Sequence, residues 1–493
     1  MELEQLRAGL EQFTSEMELE EFLSISGQKK SETGAIMQKH TGLYSLQNIL
    51  AVKSARKNVT GKEKKSLDFV FDELVGLHLR QPLAVLNDEL NDLASRRIFP
   101  FEGEDLSLNQ LQGVVGKEQD RERRKRIFVT RVEASKSFNP LRARILELAQ
   151  TTAQQSLGYV NSYDLYSDAR GIDYRGLVAL VQPFLTKTEH VYRRMMNDFL
   201  LEHAGVNLDR AEIHDVAFSF GLPSYDEFFP QDKLISVLDK TFAGMGINVY
   251  DQGNVVIDLE DRPEKQRRTN FSYVKIPGDG RISVCPTTPI EDYKDGLHEY
   301  AHLGQCMFTS PTLPFEYRAL GDKSVSEAYA FLFESLMRNP SWLKKVMKIK
   351  KPEELVQVNL MQELATTRYF AAIHQYEVEL RQNGLDRMPD VFDQVVNGIM
   401  ICKRPKEMFL EEVVRRDAFY MADYIMASMA SSTLREYLTE QYGKNWFMKP
   451  RAGNLLKTLW SFGQQYTLEE VAGMLGYSIS PQSMTEEFLE YLE

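Results

Sequence analysis

Residues 295–305 read DGLHEYAHLGQ and place His298, Glu299 and His302 within one and a half helical turns. Side chains four apart on an α-helix lie one above the other, so the two imidazoles can be aimed at one point. Zinc accepts neutral imidazole, and a catalytic zinc takes three protein ligands and leaves its fourth position to water. Glu299 is turned about 100° around the helix from His298, which lets its carboxylate reach that water without ligating the metal. The stretch thus offers two ligands and a base and lacks one ligand. The plain alternative is two histidines that share a helix face.

The missing ligand is sought downstream. After the Pro-rich loop TSPTLPFEYRALGD comes KSVSEAYAFLFESLMRN, a helical pattern with Glu327 25 residues beyond His302. A loop of that length lets the second helix fold back antiparallel and carry Glu327 to the open side of the metal. Glu334, two turns further along the same face, is placed to accept a hydrogen bond from a ligand histidine. The competing reading of Glu327 is local: Ser324-Val325-Ser326-Glu327 also fits a capping box, in which the glutamate serves only its own helix.

Upstream the texture is different. Between about residues 245 and 286, NVVIDL and SYVKI-PGDG-RISVCP are β-branched runs, the second split by a turn sequence that predicts a hairpin. From the start to about residue 205 the apolar residues recur at helical spacing, as in LDFVFDELVGLHLRQPLAVLNDEL, with loops at NVTGKE and FPFEGED. Helical patterning resumes at Glu291 and runs to the end. The expected fold is mainly α with one small sheet immediately before the histidine helix, divided into an N-terminal helical lobe (1–205) and a second region (206–493) that carries the sheet and the motif.

With 493 residues, 43% hydrophobic and 11% aromatic, the chain can bury a large core spread over roughly two or three lobes. Its formal charge of −12 argues against a phosphate-backbone binder. The basic runs RERRKR (121–126) and KKVMKIKK (344–351) are flanked by acidic residues and lack interleaved aromatics, so they read as solvated helix faces. Cys285, Cys306 and Cys402 form no CxxC pair, which makes a disulfide framework or a cysteine–zinc knuckle improbable. Neither a basic n-region with an apolar core nor a run of about eighteen apolar residues is present. The expectation is a cytoplasmic protein with no nucleic-acid or membrane partner.

The HEYAH pentapeptide followed by SEAYAFLFESL, with glutamates seven apart, resembles the thimet oligopeptidase and oligoendopeptidase F family of zinc peptidases. GYVNSYDLYSDARGIDYRGLVALVQPFLTKTEHVY resembles the helical segment before the catalytic region of bacterial members. PFEYRALGDKSVSEAYAFLFE and LREYLTEQYGKNWFMKPRAGNLLKTLW look like a less-studied bacterial branch. The likeness covers about residues 150–493. It implies a two-lobed helical ellipsoid with a deep central channel, one zinc per chain held by His298, His302 and Glu327, Glu299 as general base, and short peptides as substrates. Ala301 stands where the family commonly has glycine, a change that suits a helix.

Two further expectations come with the resemblance. The family holds the oxyanion with tyrosines of a late helix in a pattern close to Gly-Tyr-x-x-x-Tyr-Tyr-x-Tyr. The corresponding stretch, RRDAFYMADYIMAS, keeps Tyr420 and Tyr424, has Phe419 in place of the glycine, and has Ile425 and Ala427 where further tyrosines fall. Tyr424 is the favoured donor, and a core-aromatic role is the alternative for both. The family also offers the edge of a strand beside the zinc helix to the extended substrate, and RISVCP, with Ser283, Val284 and Cys285, is the candidate. An ordinary structural hairpin is the alternative. Two rival functions are a carboxypeptidase of the Taq carboxypeptidase type, whose HES signature is absent around SEAYA, and a peptide-binding pseudoenzyme.

Overall fold

In the computed structural model, which describes residues 1–492 apart from Leu222, Arg415 and Arg416 and only the backbone of Pro223 and Ser224, the expected helical periodicity is realised nearly throughout. Helix Tyr174–Ala204 shows how local chemistry sets the elements. The Asp173 side chain accepts a hydrogen bond from the Gly176 N–H at its start, and Gly205, at a φ of 66°, ends it in the left-handed conformation that costs glycine little. Its buried stripe of Leu177, Val181, Phe184, Val191 and Phe199 supplies what propensity alone does not. Among the described residues no helix is long and apolar enough to cross a membrane.

Two compact units result, and each is assembled from stretches distant in sequence. One comprises Met1–Leu74, Pro223–Leu360 and Met426–Glu486; the other comprises Val75–Leu222, Met361–Ile425 and the last residues from Glu487. The expected linear division at residue 205 differs from this, because the N-terminal helices sort with the motif region, and periodicity carries no information about such long-range partners.

Five strands occur among the described residues: β1 (Ile98–Phe101), β2 (Glu104–Ser107), β3 (Asn254–Asp258), β4 (Thr269–Lys275) and β5 (Asp279–Val284). β1 and β2 pair antiparallel around Glu102-Gly103, so FPFEGED, expected as a plain loop, is a short hairpin. The second sheet has the order β3-β5-β4, with β3 parallel and β4 antiparallel to β5. This corrects the expected substrate strand. Ser283 on β5 lies opposite Asp258 on one side and Asn270 on the other, Val284 opposite Thr269, and the Cys285 N–H donates to the Arg268 carbonyl. A central strand has no edge to offer; the edge on the side of the histidine motif belongs to β4.

The histidine helix, Pro289–Phe308, opens with proline at its first turn, where the missing N–H costs nothing. It packs on β4, β5 and helix Lys323–Glu334, the glutamate helix. Gly304 is what allows the close approach beneath it: a Cβ there would meet the Trp460 ring at 3.0 Å and Phe242 at 3.1 Å. Trp460 and Phe333 are fully buried, and Phe242 stacks on Phe333 at 4.6 Å. Burying each such side chain stabilises by roughly 1.5–3 kcal/mol, so this aromatic bed holds the helix firmly.

The RERRKR run departs from a solvated face. It sits on helix Arg121–Lys136, where Arg123 and Arg126 pair with Glu102, Lys125 pairs with Glu212, and Arg124 is buried against Asp215 at 3.0 Å. Arg121 also reaches Asp215 at 2.9 Å, and the Arg124 guanidinium lies 4.1 Å from the Phe218 ring centre. Burial would raise the Asp215 pKa, but the His214 ring and the Arg121 and Arg124 guanidinia outweigh it and hold the carboxyl well below the usual carboxylate range. We expect Asp215→Ala to cost about 3–5 kcal/mol of unfolding free energy in urea denaturation, since Arg124 is left buried without its partner. Because the native pKa is depressed, this contribution is present above the unfolded carboxylate pKa of about 3.9 and is lost as the pH falls through the native value. A loss under about 1 kcal/mol would show the network to be dispensable.

Candidate active site

His298 and His302 point from one face of the histidine helix with their Nε2 atoms 3.2 Å apart. Glu327, from the glutamate helix, places Oε2 3.3 Å from His298 Nε2 and 3.7 Å from His302 Nε2. One ligand-type atom from each of the three residues thus falls within 4.8 Å of the others. The capping-box alternative for Glu327 does not hold. The glutamate helix is capped by Asp322, whose carboxylate accepts the Ser324 N–H at 3.0 Å.

The second nitrogen of each ring is engaged elsewhere. His298 Nδ1 lies 3.1 Å from Glu334 Oε2, as expected from the seven-residue spacing, and Lys294 approaches the other Glu334 oxygen at 3.6 Å. His302 Nδ1 lies 2.7 Å from Ser326 Oγ. Ser326 escaped the sequence reading, although it directly precedes Glu327 and so faces the same helix turn. These partners fix both rings and leave both Nε2 atoms facing the cluster.

The donor set fits a zinc ion. Zinc–nitrogen bonds of about 2.0–2.1 Å in tetrahedral geometry separate ligand atoms by roughly 3.3–3.5 Å, and the three observed separations bracket that value. Glu327 Oε2 is buried without a hydrogen-bond partner, an arrangement that is costly unless something positive accompanies it. Burial would lower the His298 pKa, but the Glu327 and Glu334 carboxylates outweigh it and raise it. Burial drives His302 down to about 4, which keeps its imidazole neutral and able to donate a lone pair.

Glu299 Oε2 accepts the Phe271 N–H of β4 at 3.1 Å. Burial, with the Glu327 and Asp295 charges adding to it and those of His298 and Arg268 opposing it, pushes its carboxyl up to about 7. A carboxylate so poised exchanges protons at neutral pH. Phe271 also lays its ring beside His302, with centroids 6.1 Å apart. Ala301 is fully buried beneath this face, so its extra methyl packs in the core.

The expected pairing of Tyr420 and Tyr424 on one helix face is present. Tyr420 and Tyr424 share a face with their hydroxyls 2.6 Å apart, and Tyr424 lies against Phe370 at 4.9 Å. Both belong to the second unit, whereas the histidine–glutamate cluster belongs to the first. Ile425 and Ala427 are buried. Phe419 explains why glycine suits its position: its φ is 57°, in the left-handed region. Phe419 is held there by stacking on Tyr174 at 3.8 Å and by donating its N–H to Glu377 at 3.0 Å. The arginines that open RRDAFYMADYIMAS lie outside the described residues.

Compared with known proteins, the chain matches no family model and no curated protein sequence. Among solved structures it is similar to one titled "PZ peptidase A with inhibitor 2", at 20% identity and a TM-score of 0.65. The likeness covers 96% of this chain and 86% of that one. The chain therefore has that mainly helical fold.

Proposed function

We propose that the chain is a zinc-dependent peptidase acting on short peptides, with His298, His302 and Glu327 as metal ligands and Glu299 as general base. The observation that carries this reading is the convergence of two Nε2 atoms and a buried carboxylate oxygen without a hydrogen-bond partner, with the Glu299 carboxylate next to His298 on the same helix. The peptidase title of the structural neighbour and the resemblance of HEYAH and SEAYAFLFESL to the thimet oligopeptidase and oligoendopeptidase F family support it.

A bound zinc would supply a water of lowered pKa and a Lewis acid for the scissile carbonyl. The chain's own residues do the rest. Glu334 and Ser326, through the Nδ1 atoms, hold the two imidazoles in the orientation that presents Nε2. Glu299 takes a proton from the attacking water and returns it to the departing amine, a transfer suited to a carboxyl near 7. Phe271 N–H keeps that carboxylate at the strand edge until a substrate competes for the N–H.

The purified protein is expected to contain one zinc per chain and to cleave members of a library of short peptides. Chelation should abolish cleavage, and added zinc should restore it. Stoichiometric zinc with no cleavage anywhere in the library would sink the peptidase reading and leave a peptide-binding pseudoenzyme.

A further inference from the structure

β4 is an edge strand, and on its unpaired side two N–H groups are taken up by carboxylates rather than by another strand. Phe271 N–H donates to Glu299, and Tyr273 N–H donates to Glu18 Oε2 at 3.4 Å. Glu18 comes from the N-terminal helix Leu3–Ile25, which packs along β4 and is tied to the approach to that strand by Gln266 N–H donating to the Ile25 carbonyl at 2.8 Å. Among the described residues Glu18 forms no ion pair. Burial and the neighbouring Glu21 and Glu73 charges, opposed by the Tyr273 N–H and the Lys323 charge, push it up to about 8.

Just before β4 stands Arg268, exposed and likewise without an ion pair among the described residues. Its guanidinium is fixed by Nε donating to the buried Asn270 Oδ1 at 2.5 Å, and its charge is felt at Glu299. The unpaired side of β4 therefore has the Arg268 guanidinium at one end, the Glu18 carboxyl at the other, and Glu299 between them.

We propose that Arg268 and Glu18 select short peptides by their free ends, with the terminal ammonium at Glu18, the terminal carboxylate at Arg268 and the chain antiparallel to β4. This inference rests on the peptidase reading and adds what that reading leaves open, the recognition of the ends. The polarity follows from the strand itself. A peptide antiparallel to β4 carries its N-terminus past Tyr273 and its C-terminus past Arg268, whereas a parallel one would set like charges together. Pairing with the edge gives the Phe271 and Tyr273 N–H groups peptide carbonyls, which frees Glu299 for its proton transfer and Glu18 for the ammonium. At about 3.3 Å per residue the stretch from Arg268 to Tyr273 spans roughly 17 Å, the length of a peptide of about five or six residues.

The test uses a cleavable hexapeptide with free ends, its N-acetylated and C-amidated forms, and the zinc-loaded wild type, Glu18→Gln and Arg268→Gln. Acetylation is expected to lower kcat/KM of the wild type about tenfold and that of Glu18→Gln hardly at all; amidation should do the same for the wild type and Arg268→Gln. Each variant should keep its full response to the block at the other end. An acetylated hexapeptide beginning with lysine is expected to stay weak; full recovery would overturn the assignment to the terminus in favour of a side chain. Calorimetric binding of the same peptides to zinc-loaded Glu299→Gln separates the two readings. No binding of any peptide would overturn the peptidase reading and this inference together. Equal binding with free and blocked ends would overturn end recognition alone.

Discussion

Glu299→Gln is expected to lower kcat for a cleaved peptide by about a hundred- to ten-thousandfold while the protein still binds one zinc per chain. The amide keeps the shape of the side chain and can still accept the Phe271 N–H, so the strand edge is undisturbed. What disappears is the proton acceptor. Zinc content and melting temperature should match the wild type within error, and the loss should fall on kcat more than on KM, because proton transfer belongs to the transition state. A variant that keeps more than a tenth of the activity would remove Glu299 from the mechanism, and one that loses its zinc would mean the residue is a ligand.

Glu327→Ala should act on the metal instead. Removing one of three protein donors is expected to leave zinc too weakly held to survive dialysis, with activity lost in parallel and helical content unchanged. The helix is insulated from the change because Asp322, rather than Glu327, caps it. A variant that binds zinc normally but melts several degrees lower would instead place Glu327 in a structural role. Glu334→Gln tests the support behind His298: a loss of about ten- to a hundredfold in zinc affinity is expected, less than for a ligand, because the ring remains but its tautomer and orientation are no longer enforced.

The site was legible in the sequence to the extent that helical periodicity reaches. The i, i+4 spacing of His298 and His302 and the seven-residue spacing of Glu327 and Glu334 depend only on 3.6 residues per turn, and both pairs face as expected. Strands β3, β4 and β5 followed from β-branched runs and the PGDG turn, whereas β1 and β2 lie in a stretch expected as a loop. Pairing order did not follow, because nothing local tells β5 that β3 arrives on its far side, and so Ser283 and Val284 were expected at an edge that belongs to Phe271 and Tyr273. Arg124 was expected in solvent, because its partner Asp215 lies 91 residues away and no window of sequence contains both. Phe419 looked like a simple loss of glycine; only the stacking of Tyr174 shows how a bulky residue is kept at positive φ.

The interleaved make-up of the first unit bears on how the protein is synthesised. The histidine helix leaves the ribosome long before its bed is complete, since Trp460 is made more than 150 residues after Gly304. Until then, the face that will meet Trp460 is an apolar surface awaiting a distant segment, a situation that favours slow closure and transient association with other apolar chains. A nascent chain halted before Met426 would carry His298, Glu299, His302 and Glu327 yet lack the Trp460 ring against which the histidine helix packs at Gly304.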